Sequence, residues 1–300
     1  MSTCSVGADH CRVTPPEDHA GAIEQVQFVR HLFAYSQASH LISPIGRVLE
    51  VGSGEGYGAD YLACEERAIV ATDVSLQSLR HLTAAYPRIT RRCQATGSEL
   101  PFKDDTFDAV VSFQVIEHLS TPVTFLREIR RVLKPSGQVI LTTPNRRLRL
   151  LPFQRPWNPY HVHEYVGTEL DRLLGKVFRR RHVWGVMATP DVMLLEKIRL
   201  RQRPIVVYGD VVKRLIRALC PPRWVGGARR LDCGSRRYAP GPQPFTGEGR
   251  TIGVEDFFLS SDCDRSLDLF VEATKGCESS SGGDGLGFTH IVAADHAAAV

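Results

Sequence analysis

The sequence predicts an α/β fold built on a mostly parallel sheet, and three observations predict it. Strand-like and helix-like patterns alternate from Arg47 to Thr143, a glycine-rich turn follows the first strand pattern, and an aspartate ends the second. Such alternation implies right-handed βαβ crossovers. Before the first strand, Ile23, Val26, Val29, Leu32 and Phe33 recur at three- and four-residue spacing within Asp18 to Ile42, a helical pattern broken by Pro44 and Gly46. Arg47 to Val51 is a short apolar run ending at glycine, the profile of a buried parallel strand. Ala68 to Asp73 reads as a strand, Ser75 to Tyr86 as a helix, Phe107 to Phe113 as a strand, Thr121 to Leu133 as a helix and Gln138 to Thr143 as a strand. A helix is expected at Gly167 to Leu174, a strand at His182 to Val186 and a closing strand at Ser266 to Ala273.

A chain of 300 residues with 43% hydrophobic content can bury one main core with an elaboration. The expected organisation is a leader over 1–17, a core over 18–187, a basic insertion or substrate cap over 188–250, a closing strand over 251–275 and a Ser/Gly-rich tail over 276–300. The formal net charge is only +4, yet 17 Lys/Arg face 5 Asp/Glu between Asp171 and Arg237, so the basic character is regional. Within it, Val211, Val212, Leu215, Ile216 and Leu219 share a helical face flanked by Lys213, Arg214 and Arg217. Such a helix packs on its own domain or makes a weak contact with an anionic membrane surface. Few aromatics interleave the basic residues (Phe178, Trp184, Tyr208, Trp224), so no nucleic-acid partner is expected. The eight cysteines form no C-x-x-C pair, and neither a signal-like leader nor about 18 consecutive apolar residues occur. The expectation is a cytoplasmic protein with reduced thiols.

In Glu50-Val51-Gly52-Ser53-Gly54-Glu55-Gly56 the absent side chains let the backbone bend and approach a ligand, and the helix that follows presents free N–H groups to an anion. A dinucleotide fingerprint would need glycine at position 57, where Tyr57 stands. Asp73 lies 21 residues after Gly52, where an acidic side chain can accept from both ribose hydroxyls or cap the helix starting near Ser75.

The segments VLEVGSGEGYGADYLA, ATDVS, ELPFKDDTFDAVVSFQVIEHL, FLREIRRVLKPSGQVILTTPN and NPYHVHEY, in that order, resemble the class I S-adenosylmethionine-dependent methyltransferases, within them the bacterial group acting on sugars, lipids and other small molecules. The resemblance covers about Arg30 to Leu174. It implies a Rossmann-like, seven-stranded, mostly parallel sheet flanked by helices, with an N-terminal helical cap and a basic insertion between the last two strands. It further implies S-adenosyl-L-methionine as cofactor, with Glu50, Gly52 and Gly54 at its methionine end, Gly56 in the turn, Asp73 at the ribose and Val74 on the adenine. Thr96 stands where the family usually has an adenine-contacting Asp; Gly97 can still offer its backbone N–H, and Gln114 faces the sulfonium. Arg30 either reaches the cofactor carboxylate or lies solvated on the surface.

Methyl transfer is an in-line displacement, so the protein positions the acceptor and, for a hydroxyl, takes up a proton. His118, His161 and His163 are the candidate bases, each equally readable as a structural histidine. In some O-methyltransferases a segment similar to Gln114 to His118 carries E-x-x-E-H and binds a metal with a later histidine; here Gln114 replaces the first Glu, so no resident metal is expected. Leu148 to Pro159 is a candidate lid, with Trp157 and Tyr160 as apolar walls. The expected acceptor is a small molecule, a sugar or a lipid-linked intermediate, methylated at oxygen or nitrogen. The alternatives are a non-catalytic cofactor-binding module of this fold and an NAD-dependent dehydrogenase.

Overall fold

The computed structural model describes residues 22–150, 154–200 and 251–276. The expected leader, the amphipathic stretch Asp210 to Leu219 and the tail past residue 276 lie outside them. The strands are β1 (Gly46–Val51), β2 (Arg67–Asp73), β3 (Arg91–Gln94), β4 (Phe107–Phe113), β5 (Leu133–Pro144), β6 (Arg180–Ala188), β7 (Phe257–Ser260) and β8 (Asp268–Thr274). The helices are α1 (Ala22–Leu41), α2 (Tyr57–Leu62), α3 (Leu76–Ala85), α4 (Pro122–Val132), the single turn α5 (Arg146–Arg149), α6 (Gly167–Leu174) and α7 (residues 190–200).

The eight strands form one sheet in the order β3-β2-β1-β4-β5-β8-β6-β7. β1 to β5 pair in parallel, whereas β8 runs antiparallel to both neighbours and β7 antiparallel to β6. The sheet therefore has one strand more than the seven expected. The addition, β7, is an outer edge strand of four residues, too short to show a readable alternation. Because β7 and β8 both follow residue 250, the insertion precedes two strands rather than one. The opposite edge, β3, carries the polar run RRCQ, which an exposed strand tolerates and a burial pattern does not reveal.

Helices cover both faces. Val48, Ala109, Val111, Ile140 and Phe270 point to the side of α1 and α2, while Leu49, Val51, Val139, Leu141, Leu269 and Val271 point to the side of α4 and α6. In α4, Pro122 occupies the first turn, where its missing N–H costs nothing, and Phe125, Leu126, Ile129 and Val132 form one buried stripe. Ser75 caps α3 by accepting from Ser78 N. The parallel strands thus all end on one side, where the loops carrying the candidate residues gather.

Candidate active site

The turn after β1 takes a backbone path open chiefly to glycine: Gly52, Gly54 and Gly56 have φ of 81°, 51° and 93°. A Cβ on Gly52 would stand 2.4 Å from Val115 Cγ2, whereas one on Gly54 would meet nothing within 4 Å. Gly54 thus borders open space, as a residue lining a ligand cleft must. Gly52 N and Ser53 N both donate to Thr72 O, tying the turn to the end of β2.

Asp73 is buried and draws this corner together, accepting from Gly54 N through Oδ2 at 2.9 Å and from Ser75 N through Oδ1 at 2.8 Å. The helix cap itself is Ser75, whose N–H Asp73 holds, and each Asp73 oxygen keeps a further lone pair for a hydroxyl. Val74 beside it is 63% exposed. Thr96 is exposed, and Gly97 is buried where a Cβ would press on the Phe125 ring at 2.7 Å.

At the other end of the turn, Glu50 is fully buried. Tyr35 donates to its Oε1 at 2.6 Å, and its Oε2 has no partner. Burial pushes its carboxyl up to about 8, against the Tyr35 hydrogen bond that favours the anion. The Tyr35 ring reaches this position because Gly58 has no side chain to block it: a Cβ there would overlap the ring. Gln114, at the end of β4, has a left-handed φ of 57°, and its amide lies 3.4 Å from both Thr142 Oγ1 and Asp268 Oδ2.

Arg30 is not the solvated surface group that was one of its two readings. Its side chain is 11% exposed, 2.9 Å from Asp268 and 3.5 Å from Glu196 of α7. Arg199 holds Glu196 from the same helix, so a buried ionic cluster joins α1, β8 and α7 beside Gln114.

Of the three histidines, the structure brings two together. The rings of His118 and His161 meet edge-on at 4.8 Å, and one ligating atom each of Glu117, His118 and His161 lie within 4.8 Å of one another. His161 Nδ1 is 2.7 Å from Glu164 Oε1. Burial alone would raise Glu164, but His161 and Arg149 hold it below the usual range. His118 Nδ1 is 3.0 Å from the Tyr160 carbonyl, and burial lowers its pKa, as does the neighbouring His161. Glu117 accepts from the Thr143 hydroxyl through Oε2, leaves Oε1 unpartnered, and is pushed up to about 8 by burial. His163 stands apart, 2.7 Å from Glu169. Tyr160 is exposed at the rim and Trp157 partly buried, while 151–153 of the expected lid lie outside the described residues.

Residues 49–141 match the family model described as "Methyltransferase domain". Over 152 residues, 51% of this chain and 55% of the relative, the chain is 41% identical to a Mycobacterium tuberculosis protein named "Probable S-adenosylmethionine-dependent methyltransferase". It is 30% identical over 151 residues, 49% of this chain and 54% of the relative, to a ubiquinone biosynthesis O-methyltransferase of Parvibaculum lavamentivorans. Residues 49–141 are thus similar in sequence to a methyltransferase domain. The chain spans about half the length of these curated relatives. The likeness in fold extends further: a chain of the solved "Complex between the Haloferax volcanii Trm112 methyltransferase activator and the putative methyltransferase" superposes at a TM-score of 0.51 with 15% identity, over 84% of this chain and 92% of that one.

Three partners in the candidate site carry no sequence signal that was read. Glu164 was visible three residues after His161. Tyr35 and Asp268 carry no local signal, because only packing brings α1 and β8 to the strand ends.

Proposed function

We propose that the chain transfers the methyl group of S-adenosyl-L-methionine to an oxygen or nitrogen of a small-molecule, sugar or lipid-linked acceptor. The observation that carries this reading is the unpaired, buried Glu50 Oε2 at the root of three left-handed glycines, with Asp73 on the neighbouring strand end. Buried carboxylate oxygens are rarely left unmatched, and a ligand ammonium would satisfy this one. Glu50 with Gly52, Gly54 and Gly56 would hold the methionine end, Asp73 the ribose, Val74 the adenine face, and Thr96 with Gly97 its rim; Gln114 would face the sulfonium. The cofactor, when bound, supplies an electrophilic methyl group on a positively charged sulfur.

The remaining task falls to the protein: seat the acceptor in line, exclude water and deal with the acceptor's proton. Glu117, His118 and His161 lie on the acceptor side in this reading, their lone pairs available to accept that proton or to hold a cation against the acceptor atom. His163, bonded to Glu169, serves the loop rather than the chemistry. The names of two relatives, a ubiquinone biosynthesis O-methyltransferase and a glycine/sarcosine/dimethylglycine N-methyltransferase, support small acceptors of either atom type. No helix among the described residues is long and apolar enough to cross a membrane.

The test is calorimetry of the purified chain with S-adenosylmethionine and with NAD, followed by S-adenosylhomocysteine release over an acceptor panel. Tight binding of S-adenosylmethionine with turnover on one acceptor class is the expected result. Preference for NAD, or cofactor binding without turnover on any acceptor, overturns it.

A further inference from the structure

We propose that His31 of α1 is a specificity-determining residue whose Nε2–H donates to the carboxylate at the methionine end of S-adenosyl-L-methionine. The proposal rests on the cofactor reading of the glycine turn and adds a residue to it. Arg30, one position earlier, is held by Asp268 and Glu196 and so leaves that carboxylate to another donor.

Helical spacing places the ring. Phe28, His31 and Tyr35 follow one another at three and four residues along α1, so they share one face. The His31 ring meets Tyr35 at 5.3 Å, Tyr57 at 5.8 Å and Phe113 at 6.1 Å between centroids, and Phe28 packs on Tyr57 at 5.2 Å. Each of these contacts leads to the cleft. Tyr57 directly follows Gly56 of the turn, Phe113 is the last residue of β4 before Gln114, and the Tyr35 hydroxyl holds Glu50 Oε1. His31 is therefore enclosed by residues that border the ends of β1 and β4.

The hydrogen on the ring follows from its one partner. His31 Nδ1 bonds to the Tyr57 hydroxyl, which finds no other acceptor among the described residues, so Tyr57 donates to Nδ1 and the ring's own hydrogen sits on Nε2. Burial, aided by the neighbouring Arg30, lowers the ring's pKa to about 3 and keeps it neutral. His31 is partly buried, but its Nε2 is wholly so and has no partner among the described residues. A donor left in that state is costly until an acceptor reaches it.

Glu50 Oε2 is the second orphan of the same cluster, and it needs the opposite group. A ligand carrying only an ammonium would satisfy Oε2 and leave Nε2–H unmet, whereas one carrying only a carboxylate would do the reverse. An α-amino acid end supplies both at once. The walls between the two atoms, Tyr35, Tyr57 and Phe113, are aromatic, so each charge-assisted hydrogen bond forms in a low-dielectric setting where it is strong. Glu50 thus reads the ammonium and His31 the carboxylate.

The experiment is calorimetry of the full chain with S-adenosylhomocysteine and with its decarboxylated analogue, which keeps the ammonium and the thioether and lacks only the carboxylate. The parent should prefer the first by more than ~10-fold, the usual worth of a hydrogen bond to a charged group. His31→Phe keeps an aromatic ring without the N–H; its preference should vanish through loss of S-adenosylhomocysteine affinity, with the analogue bound as by the parent. His31→Gln, whose amide N–H can stand in for Nε2–H, should restore much of the preference, a rescue that a packing role would not give. Circular dichroism checks folding. If His31→Phe unfolds, His31→Met takes its place, matching Gln in shape without a donor. Equal affinity of the parent for the two ligands overturns the proposal, as does a preference that persists in the folded donor-free variant or an equal loss of both ligands in it. Those three outcomes leave the cofactor reading standing. A parent that binds neither ligand overturns that reading, and this contact with it.

Discussion

The glycines of the β1–α2 turn do different work, and substitution separates them. A methyl at Gly52 collides with Val115, so Gly52→Ala should lower stability and cofactor affinity together. Gly54→Ala meets no protein atom and pays only for its left-handed backbone, about 1–2 kcal/mol. The added methyl would nevertheless occupy space facing the cleft. The expected outcome is a folded protein with a modestly lower melting temperature and more than ~10-fold weaker S-adenosylmethionine binding by calorimetry, since a near-attack fit does not tolerate such displacement. Unchanged affinity in Gly54→Ala would show that the turn does not hold the cofactor.

Glu50 makes a second prediction at this scale. Burial pushes its carboxyl from the ordinary 4.5 up to about 8 in the folded state. The folded state therefore holds a proton that the unfolded state has lost. The stability this contributes is complete below pH 4.5 and lost as pH rises through about 8. Glu50→Gln cannot titrate, so urea melts of the two proteins should diverge in favour of Gln by up to ~1.4 kcal/mol per pH unit across that window, then run parallel above it. Parallel behaviour across the whole range would mean that Glu50 is ionised in the folded protein.

At the scale of elements, α1, α7 and β8 meet through charge. Arg30, largely shielded from solvent, sits between the buried Asp268 and Glu196. Removing one partner of a buried pair strands the other, so Arg30→Ala should cost about 3–5 kcal/mol in urea unfolding. Combining it with Asp268→Asn should cost less than the sum of the two single changes, the signature of direct coupling. Additive losses would mean that the pair contributes nothing beyond its separate packing.

This cluster also marks where the sequence stopped being informative. The buried strands β1, β2, β4 and β5 and the stripe of α4 were legible because burial on a fixed period imprints itself on residue type. The glycine turn and Asp73 were legible because their backbone demands are local. Arg30, Tyr35 and Asp268 were not, since each takes its role from a residue at least fifteen positions away, and a lone Arg or Tyr on a helix looks the same whether it is buried or solvated. β3 and β7 failed for another reason: an edge strand of four residues has too few buried positions to form a pattern.

For the molecule as a whole, the order of strands in space decides what can be removed. β8 is late in the chain but central in the sheet, paired to β5 over seven residues and to β6 over seven. Its Leu269, Phe270, Val271 and Ala273 are fully buried and contribute to both cores, so it joins the parallel half carrying the cofactor turn to the half carrying β6 and β7. A chain ending at Arg250 would keep every residue of the matched domain, 49–141, yet lose β7 and β8. It would leave β5 and β6 with unpaired inner edges and the Arg30 guanidinium without Asp268. Burial of that much apolar surface is comparable to the whole net stability of a domain. The truncated chain should therefore show no cooperative thermal transition and no S-adenosylmethionine binding, despite its complete glycine turn, Asp73 and histidine pair. A cooperative melt and retained cofactor affinity would mean instead that β1 to β5 fold alone and that β8 is an addition to the domain rather than part of its core.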